Sequence, residues 1–269
     1  MPELPEVETV TNSVKKHILN KSFDSLELFW PKTLDNFTIL DFDKKIKDKK
    51  VVNVFRRAKY IIIQFENILL AVHLRMTGKL YAVDSLEKDQ KHISLYLPFD
   101  NKYLIYKDTR KFGRFYMYDN MDILNHKLGI EPLSESFTQK WLIENMKKKK
   151  RQIKSLLFDQ SFISGLGNIY IDESLWRAEI HPLTASHKIS KPKVKALHAS
   201  IVKVLSDSIK LGGSTIRDYT YDFAYVGNYA LNLKVFGKQG EKCPRCEYKI
   251  TKTKVAQRGT HYCKKCQKK

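Results

Sequence analysis

The sequence predicts an α+β chain of more than one domain: an antiparallel β-sandwich or barrel, then a helical domain, then a small metal-binding ribbon. Three observations carry that prediction. Seven short runs rich in β-branched and aromatic residues lie between positions 23 and 118, helical spacing takes over beyond Glu131, and all four cysteines fall between Cys243 and position 269. Helical patterns of about 10 to 15 residues do not alternate with the strands, so a doubly wound α/β sheet is not expected.

The chain opens with apolar residues at Val7, Val10, Val14 and Ile18, the spacing of one helix face. Pro5 suits a first helical turn, Glu6 and Glu8 complement the positive pole there, and Lys15, Lys16 and His17 the negative pole. Strands are expected at 26–29, 51–55, 60–65, 68–73, 93–97, 103–106 and 115–118, separated by Gly, Asp, Asn or polar punctuation. The pattern lapses between Asp122 and Pro132. Helices are then expected at 137–146, 153–158 and 169–178, with a last one through Val194, Leu197, Ile201, Leu205 and Ile209 that ends at Gly212 and Gly213. The basic run 147–151 reads as a solvated patch or a phosphate contact, and 219–229, aromatic and polar without a period, reads as a long functional loop.

A length of 269 residues allows roughly two domains with their own cores. With 42% hydrophobic and 29% charged residues, and no apolar run near the ~20 residues of a bilayer span, the composition is that of a globular protein and no membrane role is expected. Lys and Arg number 49 against 29 Asp and Glu, for a net charge of +20. That excess points to a polyanionic partner, since basic groups displace counterions condensed on phosphate. The charge is spread along the chain rather than gathered beside an amphipathic helix, which favours nucleic acid over an anionic membrane surface. No secretory pattern opens the chain, so the expected compartment is the cytoplasm.

Cys243, Cys246, Cys263 and Cys266 form two CxxC knuckles with sixteen residues between them. Two such knuckles complete a closed tetrahedral Zn²⁺ site, structural because no coordination position is left open; a redox dithiol would come singly. The knuckles should flank a hairpin with Gln257, Arg258 and Gly259 at its tip, and the surrounding Lys and Arg suit a ribbon that reaches DNA, although one that only stabilises the C-terminus fits the same residues. Ser164 to Ile169 holds two glycines between helical patterns: a plain helix connection, or a turn that presents amides to a phosphate. Met76 and Phe112, each near an arginine between strands, read as core residues or as wedges between base steps.

Met1 to Val10, reading MPELPEVETV, resembles the opening of the bacterial formamidopyrimidine-DNA glycosylases. The resemblance continues through RRAKY at 56–60, HLRM at 73–76, DTRKFG at 108–113, SGLGNIY at 164–170, HPL at 181–183 and the cysteine ribbon, in family order along the whole length. It implies an N-terminal β-sandwich with the first helix (1–121), a linker (122–131), a helix-two-turn-helix domain (132–235) and a four-cysteine zinc ribbon (236–269). The implied activity is excision of oxidised purines from double-stranded DNA followed by strand cleavage, with one structural Zn²⁺ and no obligate protein partner; action on one damaged nucleotide needs no dyad, so a monomer is expected.

The chemistry follows from the terminus. Proline at a free N-terminus is a secondary amine and so a nucleophile, which requires loss of Met1. Glu3 is the natural general acid, its burial favouring the protonated form, while the positive pole of the following helix favours an uncharged Pro2 amine. Without the resemblance, Pro2 and Glu3 read simply as helix-initiating residues. By residue-level similarity, Lys59, Asn168 and Arg258 would hold the phosphates around an extruded nucleotide, with His73 also on DNA. Met76, Arg110 and Phe112 would fill the gap the nucleotide leaves, and Lys154 and Glu6 match positions near the lesion pocket. Phe236 stands where the family usually has tyrosine, and Ala230 where glutamine is common. Two alternatives compete: the related endonuclease VIII type, which acts on oxidised pyrimidines and typically has glycine in place of Leu4, and a non-catalytic DNA-binding zinc-ribbon protein.

Overall fold

The computed structural model describes residues 2–86, 91–214 and 228–269. Met1 and the greater part of the 219–229 loop therefore lie outside the described residues. Two compact units make up the chain: Met1–His126 with Gly212–Asn228, and Lys127–Leu211 with Tyr229–Lys269.

In the first unit, α1 (Leu4–Ile18) buries the predicted stripe of Val7, Val10, Val14 and Ile18. Eight strands follow, β1 (Glu27–Leu28), β2 (Asn53–Arg57), β3 (Tyr60–Gln64), β4 (Leu69–His73), β5 (Gly78–Val83), β6 (Ile93–Phe99), β7 (Lys102–Asp108) and β8 (Arg114–Tyr118). They form two antiparallel four-stranded sheets, ordered β1-β6-β7-β5 and β2-β3-β4-β8. One continuous apolar core joins the α1 stripe to Ile61, Ile63, Leu70 and Val72 of one sheet and Leu80, Leu95, Leu97 and Leu104 of the other, which makes the unit a sandwich rather than a barrel.

Two of its elements were not expected. β5 lies immediately after the HLRMT segment, opens on Gly78 and Lys79 and buries only Gly78 and Leu80, so it lacks the apolar run that marks the other strands. Helix α2 (Ile39–Lys45) sits inside a region that reads as all-β; it starts from a capping box between Thr38 and Asp41 and buries only Phe42, so it has almost no apolar period. For the same reason α3 (Asp122–Lys127), with Leu124 its single buried residue, occupies part of the segment expected to be a linker.

The second unit contains α4 (Gln139–Lys147), α5 (Ile153–Phe158), α6 (Asn168–Arg177) and α7 (Lys191–Lys210), followed by a hairpin of β9 (Thr251–Val255) and β10 (Arg258–Tyr262). Thr138 caps α4 by accepting the Trp141 amide at 3.0 Å. The Tyr170 and Ser208 hydroxyls, 2.7 Å apart, join α6 to α7. α7 is followed by Gly212 and Gly213, both at positive φ, as the sequence predicts.

The hairpin tip differs from expectation. Arg258 pairs with Val255, so the turn is Ala256–Gln257, both in the left-handed region at φ 49° and 59°. That is the two-residue turn whose twist matches antiparallel strands, here made without glycine. Arg258 and Gly259 are consequently strand residues with fixed backbone direction. No helix among the described residues is long and apolar enough to cross a membrane.

Candidate active site

Within the first unit the N-terminal residues are buried and tied down. Pro2 is buried, and Glu3, the residue before α1, is only 3% exposed. One Glu6 carboxylate oxygen accepts the Glu3 amide at 2.9 Å, while the other accepts the Ser214 amide at 2.7 Å and its hydroxyl at 3.1 Å. A Cβ on Gly213 would come 2.8 Å from that second oxygen, and φ there is +84°, so both sterics and backbone call for glycine. Glu6 thus fixes the backbone of the very residue expected to act as the acid.

The RRAKY segment gains a structural logic that its sequence conceals. The Arg56 guanidinium donates to Glu8 on α1 at 2.7 Å and to the Ala58 carbonyl at 3.1 Å, holding the two-residue turn that presents Lys59. Lys59 is 5% exposed. Burial, together with Arg75 and Lys59, pushes the His73 imidazole down to about 3, so it is neutral near pH 7. Its Nδ1 accepts the Arg75 amide at 3.0 Å and therefore carries the lone pair, which leaves the proton on Nε2 as a donor.

Met76, on the β4–β5 connection, is 38% exposed and Phe112, on the β7–β8 connection, 49% exposed. The core reading of both is excluded. The exposed Arg110 places its guanidinium 4.9 Å from the centre of the Phe112 ring. The hub of these two loops is Asp108, whose buried carboxylate accepts from Thr77, Arg110, Phe112 and Gly113. Nothing in the sequence singles it out, because an aspartate at the end of a strand carries no signal of burial.

In the second unit, α6 carries a series of polar anchors. The Asn168 amide donates to the Gly259 carbonyl at 2.9 Å. Asp172 accepts Lys154 at 2.6 Å with one oxygen and the His261 amide at 2.8 Å with the other, and Lys154 also reaches the Gly259 carbonyl at 3.3 Å. Lys154 and Asp172 are both buried, so the lysine charge is satisfied inside the unit. Glu173 accepts three successive amides, Lys234, Val235 and Phe236; burial raises its carboxyl, and those amides work against the rise. The Phe236 ring meets His261 edge-on at 5.0 Å. Arg258 is exposed with its guanidinium 5.0 Å from the Phe158 ring centre, on the strand that Lys154, Asn168 and Asp172 hold.

The SGLGN turn is braced by Gln160, whose amide group accepts the Gly165 N–H at 2.9 Å and donates to the Leu166 carbonyl at 2.8 Å. Gly167 precedes α6 without a capping side chain, and no acidic residue occupies the first turn. The start of α6 therefore carries no negative charge of its own to set against the positive pole of the helix.

The four cysteine sulfurs lie within 4.8 Å of one another. Cys243 and Cys266 are 3.9 Å apart, and Cys246 and Cys263 3.4 Å, bracketing the ~3.8 Å edge of a tetrahedron with Zn–S bonds of about 2.3 Å. Burial raises the Cys243 thiol, but donors that include the Arg245 amide and the Trp176 indole outweigh it and bring the group down to about 7, toward the thiolate a metal needs. Trp176, Val235 and Ile250 pack around the cluster. The donor set fits one structural Zn²⁺.

Three family models match the chain: the formamidopyrimidine-DNA glycosylase N-terminal domain over residues 1–115, the formamidopyrimidine-DNA glycosylase H2TH domain over 128–220, and the zinc finger found in FPG and IleRS over 240–269. The formamidopyrimidine-DNA glycosylase of Protochlamydia amoebophila is 44% identical, covering 100% of both chains, and that of Lactococcus lactis subsp. lactis 41% identical with the same coverage. Among solved structures, the wild-type Lactococcus lactis Fpg in complex with DNA containing N7-benzyl-Fapy-dG matches with a TM-score of 0.93 at 38% identity over 100% of both chains. MutM in complex with DNA containing carbocyclic 8-oxo-G matches with a TM-score of 0.92 at 39% identity, again over 100% of both chains.

Proposed function

The chain belongs to the formamidopyrimidine-DNA glycosylase family and is a DNA-repair glycosylase with AP-lyase activity, and from that premise we propose that it removes oxidised purines from duplex DNA with Pro2 as nucleophile and Glu3 as general acid. The observation that carries this reading is a buried carboxyl, on a residue only 3% exposed, directly beside Pro2 and with its backbone locked by Glu6. Once Met1 is removed, the Pro2 nitrogen bonds to C1′ as the glycosidic bond breaks and the base departs with its electron pair. The nitrogen loses its proton, and its lone pair then expels the ring oxygen, which takes a proton from Glu3. The product is an iminium cation. This cation accepts the electrons released when a C2′ proton is lost, so the 3′-phosphate leaves by β-elimination; loss of a C4′ proton into the extended iminium then expels the 5′-phosphate by δ-elimination.

Base removal needs the nucleotide outside the stack. We assign Lys59, His73, Asn168 and Arg258 to the backbone of the extruded nucleotide, and Met76, Arg110 and Phe112 to the space it vacates. The neutral His73, donating from Nε2, suits a phosphate oxygen. Lys154, buried against Asp172, acts by holding Gly259 and thereby Arg258. Zn²⁺ keeps the ribbon folded and takes no part in bond making.

The test is borohydride trapping of the Met-processed protein on duplexes with 8-oxoguanine opposite cytosine or with an oxidised pyrimidine. A covalent adduct on the purine lesion, abolished by Pro2→Gly and strongly reduced by Glu3→Gln, is the expected result. Adduct mainly on the pyrimidine would move the substrate class to that of endonuclease VIII. Adduct that survives Pro2→Gly would overturn the nucleophile.

A further inference from the structure

We propose that Asp108 is a positioning residue for lesion extrusion, locking Met76, Arg110 and Phe112 into one preformed wedge; this rests on the glycosylase reading above. Asp108 is 1% exposed and every neighbour its carboxylate meets at hydrogen-bond distance is a donor. One oxygen accepts the Thr77 hydroxyl at 2.5 Å and the Arg110 amide at 3.1 Å; the other accepts the Phe112 amide at 2.9 Å, the Gly113 amide at 2.8 Å and the Tyr106 hydroxyl at 3.4 Å. Thr77 directly follows Met76, so a single carboxylate fixes the backbone on both sides of the Arg110–Phe112 turn and joins it to the loop that bears Met76.

Sterics reinforce the lock. The Tyr106 hydroxyl occupies the space that a Cβ would need at either Gly78 or Gly113, 2.2 Å and 1.4 Å away respectively. Each loop therefore closes onto Tyr106 through its own glycine. Between Arg110 and Phe112, Lys111 stands at φ 58° with its ammonium 4.1 Å from the centre of the Trp30 ring, which sends its side chain to a separate anchor. What remains free of the lock is the pair of exposed apolar side chains and the Arg110 guanidinium. A wedge held in place before DNA arrives loses less freedom when it enters the stack.

An amide in place of the carboxylate cannot serve this arrangement, because its NH₂ would face donors. Asp108→Asn is thus nearly isosteric yet unlocks the loops. Thr77→Val cuts only the link between them, and Thr77→Ser keeps it.

The experiment compares full-length wild type with these three variants in single turnover. Base release from an 8-oxoguanine–cytosine duplex is set against strand cleavage at a preformed abasic site, with 2-aminopurine beside the lesion reporting destacking, and with melting temperature and zinc content measured alongside. The expected result is a loss of about 10- to 100-fold in base release and destacking for Asp108→Asn, the scale of a 1 Å misplacement. Thr77→Val should show a smaller loss of the same kind and Thr77→Ser wild-type rates. Cleavage at the abasic site, which has no base to extrude, should change far less. Equal losses on both substrates in step with melting temperature would overturn the proposal in favour of a purely structural aspartate, as would wild-type destacking by Thr77→Val if Asp108→Asn does not fold. A wild type inactive on both duplexes would instead sink the glycosylase reading, and the proposal with it.

Discussion

His73 shows how a single buried side chain makes stability depend on pH. Its folded-state value of about 3 lies below the ordinary 6.5, so above pH 6.5 the imidazole is neutral in both states and contributes no difference. As pH falls through 6.5 the unfolded chain takes a proton that the folded one refuses, and stability drops by up to about 1.4 kcal/mol per unit until pH approaches 3. His73→Gln, which keeps an acceptor for the Arg75 amide, should flatten the acid limb between those values; urea melts at pH 7, 6 and 5 on both proteins check it. Lys154 is the second residue whose environment dictates an outcome. Lys154→Met leaves the Asp172 carboxylate buried without its cation, at a cost of about 3–5 kcal/mol, whereas adding Asp172→Asn should restore most of that loss. A double-mutant cycle in denaturant measures the difference.

At the scale of the element, the tightest constraints sit where strands turn. Gly113→Ala would drive a methyl into the Tyr106 ring and hydroxyl and into Asp108, so overpacking of about 1–3 kcal/mol or more is expected by thermal or chemical melting. Gly240→Ala is the contrasting case: no atom lies within 4 Å of the added Cβ, and only the positive φ of 85° opposes it. Elements were legible in the sequence where one face is buried over several turns, as in α1 and α7, or where an unbroken apolar run is buried on both faces, as in β3 and β4. α2, α3 and β5 were not, since an element that buries a single apolar side chain leaves no period to detect. The β9–β10 tip was misplaced because positive φ at Ala256 and Gln257 has no signature in those residue types.

Across the whole molecule, the net charge of +20 predicts DNA affinity that falls steeply and linearly in log–log fashion with salt. Arg258→Ala should lower the slope by about 0.9 and weaken binding to damaged and undamaged duplex alike, as a phosphate contact does. Fluorescence anisotropy across a salt series checks this. Stripping the metal with a chelator should unravel the ribbon, whose apolar cluster is little more than Trp176, Val235, Cys243, Ile250 and Cys263, and abolish DNA binding. Circular dichroism with zinc quantification follows the loss, and Cys263→Ser should reproduce it.

What the sequence determined by itself are the features that depend on residue type and short spacing: the amphipathic first helix, the β-rich first half and helical second half, the two CxxC knuckles, and, by resemblance, the candidate site residues. Tertiary structure alone decided how those residues are held. Asp108, Tyr106, Glu8 and Arg56, Asp172 and Glu173 act on partners tens to about a hundred positions away or on backbone amides, and neither relation leaves a mark in local composition. That Met76 and Phe112 are not core residues was likewise decided by the tertiary structure, because an apolar side chain on a loop looks the same in sequence whether the fold covers it or presents it.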